Sequence, residues 1–189
     1  EEFEMIDDLL ADAEKRMRHS IDVLKKDLAN IRSGRATPGL VEHIEVEYYG
    51  VPTPLIQLAS ISVPEPRMIA ITPWDPNSIG PIEKAIQKSE LGLNPSNDGK
   101  IIRILVPPLT EERRRSLVKM VRQRVEEDRV AIRNIRRDVM NDIKQMQHEK
   151  MISEDEARRA QEKLQQLTDK YIKEADSLGE QKEQEILTV

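Results

Sequence analysis

The chain of 189 residues contains no cysteine, which excludes disulfides and thiolate metal ligands. Aromatic residues are scarce, with one Phe, one Trp and three Tyr, so a core has to be assembled from Leu, Ile, Val, Met and Ala. No apolar run approaches the roughly 20 residues a membrane-spanning helix needs. No signal-peptide pattern opens the sequence, and a soluble cytoplasmic protein that meets no membrane is expected. His19, His43 and His148 stand far apart and fit no zinc spacing, so no metal site is expected. Neither a P-loop nor a dinucleotide-binding glycine pattern occurs, and no carboxylate pair stands out as a general acid and base. The expectation is a protein without catalytic residues, cofactor or small-molecule substrate.

Proline and glycine are missing from most of the chain and crowded into one part of it. All eleven prolines lie between Pro38 and Pro108, and six of the seven glycines lie between Gly34 and Gly99. Outside those limits only Gly179 interrupts what reads as three helices. The first is expected from about Met5 to Ser33, with Ile6, Leu10, Ala13, Met17, Ile21, Leu24, Leu28 and Ile31 at three-and-four spacing and Gly34 suited to the left-handed position beyond its end. The second follows Pro107-Pro108, with Thr110 as candidate N-cap and Glu111 and Glu112 complementing the helix dipole. The third opens at Ser153-Glu154-Asp155-Glu156, the Ser-x-x-Glu form of a capping box.

Each helix carries one apolar stripe and needs partners, which points to a long three-helix bundle built from residues 1–33 and 109–189. Residues 34–108 then form an inserted domain. Here the period changes to two, as in Ile44-Glu45-Val46-Glu47-Tyr48, with further strand candidates at 61–63, 68–72 and 101–106 and a short helix over 78–89. The insertion reads as a small β/α/β unit and the whole chain as α+β. Two short crossings at its ends suggest a hinge set by Gly34, Pro107 and Pro108. Within the insertion, Asn94 to Gly99 reads as turn chemistry alone, Trp74 as a packed side chain, and Tyr48-Tyr49 as partly core and partly a candidate stacking surface.

Negative charge dominates the chain at −5, yet it is unevenly spread. Between Arg113 and Arg137 ten cations face three anions, a net +7, which leaves −12 elsewhere. Arg115, Arg122, Arg129 and Arg136 recur every seven residues and so form a line along the second helix, about 60 to 120° from its apolar stripe. Arg115, Arg122 and Arg129 have acids three or four residues away, whereas Arg133 and Arg136 have none at those spacings. Guanidinium groups without a local acid suit phosphate oxygens, and a basic segment in an acidic body fits one anionic surface as its partner.

Several longer motifs occur in order: Ile31-Arg32-Ser33-Gly34-Arg35-Ala36, Val46-Glu47-Tyr48-Tyr49-Gly50-Val51-Pro52-Thr53-Pro54, Leu91-Gly92-Leu93-Asn94-Pro95, Pro107-Pro108-Leu109-Thr110-Glu111-Glu112-Arg113-Arg114 and Arg133-Asn134-Ile135-Arg136-Arg137. From about Met5 to the C-terminus the chain resembles the ribosome recycling factor family. The resemblance implies an L-shaped monomer that binds large-subunit ribosomal RNA and acts with elongation factor G, the GTPase, to split the post-termination ribosome. It also implies rRNA contacts at Arg114, Arg129, Arg133 and Arg136, with Arg35, Arg122 and Arg137 as further candidates. The family occurs in chloroplasts and mitochondria too, which is the alternative to a cytoplasmic site. Two rival readings remain at this level. One is a helical adaptor or co-chaperone whose arginines pair across helices and whose apolar stripe binds the partner; the other is a general RNA-binding protein.

Overall fold

The computed structural model describes residues 2–89 and 91–188. The chain divides into two units, one of Glu1–Arg32 with Glu112–Leu187 and the other comprising Ser33–Glu111.

The first unit holds three long helices: α1 over Glu2–Ala29, α3 over Glu111–His148 and α4 over Glu154–Leu187. Each buries the stripe its sequence spacing anticipates. Met17, Ile21 and Leu24 of α1, Leu117, Val121 and Ile132 of α3, and Leu164, Tyr171 and Ala175 of α4 are almost wholly withdrawn from solvent. Two positions in these stripes are polar, Asp128 in α3 and Thr168 in α4, and both are buried. Thr168 donates its hydroxyl to the Leu164 carbonyl one turn back, a bond within its own helix. Gly179 does not interrupt α4. It lies buried in mid-helix, where a Cβ would sit 2.7 Å from Cγ2 of Val125, so its lack of a side chain lets α3 and α4 approach closely.

Two helix ends differ in detail from expectation. α1 stops at Ala29 rather than Ser33, because the bond from Ile31 N–H to the Leu28 carbonyl tightens the last turn before the chain leaves the axis. At the start of α4 the Glu156 N–H donates to Ser153 Oγ at 3.1 Å, the first half of the capping box. The reciprocal half does not form, and Glu156 Oε2 is left buried without a partner.

The second unit is richer in strands than the simple β/α/β reading. A hairpin pairs β1 (Glu45–Tyr48) with β2 (Val51–Pro54), and an antiparallel sheet is ordered β3-β4-β6-β5, from Ala59–Glu65, Met68–Pro73, Ile102–Leu105 and Pro95–Asn97. The short helix α2 (Ile79–Lys88) lays Ile82 and Ile86 into one apolar cluster with Ile69, Ile71, Ile102 and Ile104 of the sheet. Two strands escaped the sequence reading because proline hid them. Pro52 and Pro54, opposite Glu47 and Glu45, are two residues apart, so both missing N–H groups fall on the outer edge of β2. Pro95 begins β5, an edge strand, which corrects the reading of residues 94–99 as turn alone.

The hairpin loop is Tyr49-Gly50, with φ of 50° and 78°; two positive values are what a tight two-residue loop requires. Tyr48 is half-buried and donates to Asp75 at 3.0 Å, while Tyr49 is 77% exposed. Trp74 is 66% exposed, which corrects its expected packing: its N–H reaches back to the Leu58 carbonyl, but its ring stays outside the cluster.

Candidate nucleic-acid interface

The heptad line of arginines on α3 meets a second heptad line on α4. Asp169, Asp176 and Glu183 are also seven apart, and in an antiparallel pair of helices such repeats run in register. Arg122 Nε lies 2.5 Å from Glu183 Oε1. Arg129 holds Asp176 Oδ1 through Nε at 2.6 Å and its terminal nitrogen at 2.5 Å. Arg136 donates to Gln165 Oε1 at 2.9 Å, and the Gln165 amide in turn donates to Asp169 at 2.8 Å. From Arg122 to Arg136 this line is therefore a seam between α3 and α4 rather than a free cationic edge.

That finding redistributes the candidate residues. Arg122 does not use Glu126, the acid four residues on; its partner is across the seam. Glu126 instead serves Arg129 at 3.6 Å and Arg133 at 3.8 Å, so Arg133, which has no acid three or four residues away, reaches one two turns back. Its side chain remains 46% exposed. Arg136 is half-buried against α4 and is not the unpartnered group its spacing suggests. Arg137, next in sequence, is exposed and makes no ion pair or hydrogen bond among the described residues. Arg114 donates to the Leu187 carbonyl at 3.1 Å, where a cation complements the last turn of α4. Arg124, on the other flank of α3, binds Asp27 of α1 at 2.6 Å.

Arg133 and Arg137, four residues apart on one face, form an open patch on α3, with Arg129 and Arg136 beside them held by α4. The acids of α4 that orient these arginines went unnoticed in the sequence reading, and the repeat of Asp169, Asp176 and Glu183 was the available signal. These partly exposed ion pairs remain screened by solvent and contribute on the order of 1 kcal/mol each, so they can fix a guanidinium's direction and still yield to a phosphate.

Gly34, Pro107 and Pro108 lie at the two ends of the second unit. Gly34 has φ 81°, and a Cβ there would meet Leu109 Cγ at 2.8 Å. The two chain crossings sit on one turn of the sheet, with Ala36 N–H donating to the Pro66 carbonyl at 2.8 Å and Val106 N–H to the Arg67 carbonyl at 2.7 Å. Pro107 and Pro108 are exposed and outside any helix or strand, and Arg35 is exposed without an ion pair among the described residues.

Comparison with known proteins agrees with this architecture. The family model described as "Ribosome recycling factor" matches residues 24–187. The ribosome-recycling factor of Thermomicrobium roseum is 60% identical over 185 residues, covering 98% of this chain and 100% of that one. That of Roseiflexus castenholzii is 55% identical over the same coverage. Among solved structures, a ribosome recycling factor determined in solution covers 97% of this chain and 98% of its own at 48% identity, with a TM-score of 0.69. A second, the T. thermophilus factor placed with E. coli elongation factor G on the E. coli post-termination complex, is 50% identical over 96% of this chain and 98% of its own, with a TM-score of 0.61. A family model spanning most of the sequence and relatives matched over their full length establish that the chain belongs to the ribosome recycling factor family.

Proposed function

We propose that this protein recycles ribosomes after termination: it binds the large subunit through ribosomal RNA and, with elongation factor G, splits the post-termination complex. The partner supplies GTP hydrolysis. This chain performs no catalysis, works as a monomer in the cytoplasm, and contributes a rigid docking helix and a second unit that moves about Gly34 and Pro107-Pro108. The observation that carries the RNA contact is the open guanidinium patch on α3. Arg133 has only a long pair to Glu126 and Arg137 has none, whereas Arg122, Arg129 and Arg136 are oriented from α4. Arg133 and Arg137 are the primary phosphate contacts in this reading. Arg129 and Arg136 join by exchanging acid or amide partners for phosphate oxygens, and Arg114, Arg122 and Arg35 are further candidate contacts. The adaptor reading foresaw arginines paired across helices, and three of them are. Its binding surface, however, would be the apolar stripe, which is consumed in the bundle at Ile21, Ile132 and Leu164.

Large-subunit co-sedimentation across a salt series tests the proposal. Arg133→Ala with Arg137→Ala is expected to weaken binding about tenfold or more at low salt and to flatten the salt dependence by the equivalent of about two phosphate contacts, with thermal stability retained. Wild-type binding that is saturable and unchanged in the double variant would remove this face as the RNA contact. Comparable binding of the wild type to arbitrary RNA would favour the general RNA-binding reading.

A further inference from the structure

Asp128 breaks the apolar stripe of α3. Between Val125 and Ile132 it occupies a core position, is 2% exposed, and accepts a hydrogen bond on Oδ1 from the Ser20 hydroxyl of α1 at 2.5 Å. Its other oxygen, Oδ2, has no hydrogen-bond partner. A buried carboxylate oxygen left without a donor costs more than an ordinary hydrogen bond returns, so its presence asks for a partner. The same residue lines a groove of ≈ 770 Å³ between α1 and α3, on the flank of α3 away from the α4 seam.

The groove's other lining residues define what that partner would be. Its bases are Lys15, Arg16 and Arg124, and two of them are neutralised, Arg16 by Asp138 at 3.3 Å and Arg124 by Asp27 at 2.6 Å. Arg124 also stands near Asp128, so the four acids Asp12, Asp27, Asp128 and Asp138 meet three bases, and His19 is the remaining titratable group. A carboxylate at the floor and an excess of acid repel an anion. Calcium and magnesium are disfavoured as well, because they take six or more oxygens, and no group of three or more His, Asp or Glu side chains among the described residues could hold a metal ion. A guanidinium spreads its charge over a planar fork of five donors, most of which one free oxygen would leave unmet, the other being taken by Ser20. An ammonium is a compact point charge that one oxygen can receive. Beside it, Val23, Ala131 and Ile135 supply an apolar wall for an alkyl stem.

We propose that the α1–α3 groove binds a primary ammonium group on a short aliphatic stem, with Asp128 Oδ2 receiving the charge. Oδ2 is covered from solvent, so ligand entry requires a lining side chain to move; the exposed Lys15 lines the same groove. Two sources share this chemistry, a free alkylamine and the lysine side chain of a polypeptide.

The test is a methyl NMR titration of the full chain, reading Val23, Ala131 and Ile135, with n-butylammonium chloride, acetyl-Ala-Lys-Ala-amide and neutral n-butanol, against sodium chloride at matched ionic strength. Saturable shifts with the two ammonium probes, absent with n-butanol and weakened about tenfold or more in Asp128→Asn, are the expected result. Tighter binding of the peptide assigns the site to a lysine side chain; equal or weaker binding assigns it to a free amine. The carboxyl of Asp128 gives a readout that needs no variant, because a bound ammonium must lower the pH at which it titrates. Equal shifts with n-butanol, no saturation with either ammonium, undiminished binding in Asp128→Asn, or an unmoved carboxyl titration would each overturn the proposal.

Discussion

At position 128 the α3 stripe places a carboxylate where Val121, Val125 and Ile132 place methyl groups. Burial pushes this carboxyl up from its ordinary value, and the Ser20 hydrogen bond and the nearby Arg124 offset that only in part. Because the folded-state value lies above the unfolded one, Asp128 favours folding most when protonated, and that contribution fades as pH rises above the usual carboxylate range. A neutral asparagine should not show this loss. The melting temperature of Asp128→Asn is therefore expected to exceed that of the wild type near pH 7, with the gap narrowing or reversing as pH falls to about 4, where carboxylates ordinarily protonate. Melting curves at stepped pH would check it; a gap that widens on acidification contradicts the sign. Arg129, the next residue, shows the opposite circumstance. Its guanidinium is one-third exposed and held by Asp176 and Glu126, so it remains available for exchange.

Among the elements, α3 and α4 are joined by two dissimilar devices. The polar seam of Arg122 and Arg129, ion-paired to Glu183 and Asp176, and of Arg136, hydrogen-bonded to Gln165, is partly exposed to solvent and contributes little stability. The close approach of Val125 to Gly179 contributes packing. Alanine at 179 would gain about 1 kcal/mol of helix propensity. It would also place a methyl 2.7 Å from Val125 Cγ2, and overpacking of that kind costs about 1 to 3 kcal/mol. Gly179→Ala is expected to lower the melting temperature, and adding Val125→Ala should restore part of it; chemical denaturation of both single variants and the pair measures the coupling. A neutral or stabilising Gly179→Ala would show that the helices separate easily at this point.

These same elements show what can be read from a linear pattern. The three helices and their buried faces follow from spacing within each segment, since a period of three and four admits one amphipathic answer. The strands of the proline-rich region were harder, because Pro52, Pro54 and Pro95 are compatible with strands only at edges, and edges are defined by the sheet. The arginine seam was harder still. Which acid an arginine meets depends on the register between α3 and α4, and Glu126 looked like the local partner of Arg122 until Glu183 proved nearer. Trp74 misled for a related reason: its neighbours Pro73 and Pro76 suggested packing, while the isoleucines of α2 and the sheet had already filled the cluster.

For the molecule as a whole, the proposed function has the second unit move relative to the helices, and the proposed hinge makes a specific demand on Gly34. Its φ of 81° lies in the left-handed region, which a β-branched residue adopts only with strain, and a Cβ would also collide with Leu109, 2.8 Å away in the other crossing. Ala36 and Val106, just inside the two crossings, are both bound to the turn at Pro66 and Arg67, so a change at Gly34 cannot be absorbed deeper in the sheet without breaking those bonds. Gly34→Val should therefore alter the crossings themselves, at a cost of about 1 to 3 kcal/mol, while the helices and the sheet keep their own structure. With one spin label on α3 and one on α2, the distance distribution is expected to shift or broaden in Gly34→Val and to change less in Gly34→Ala, which lacks the β-branch. Elongation-factor-dependent splitting of post-termination complexes should fall in the same order, with large-subunit affinity nearly retained because Arg133 and Arg137 are untouched. An unchanged distance distribution together with full splitting activity would place the pivot elsewhere in the chain.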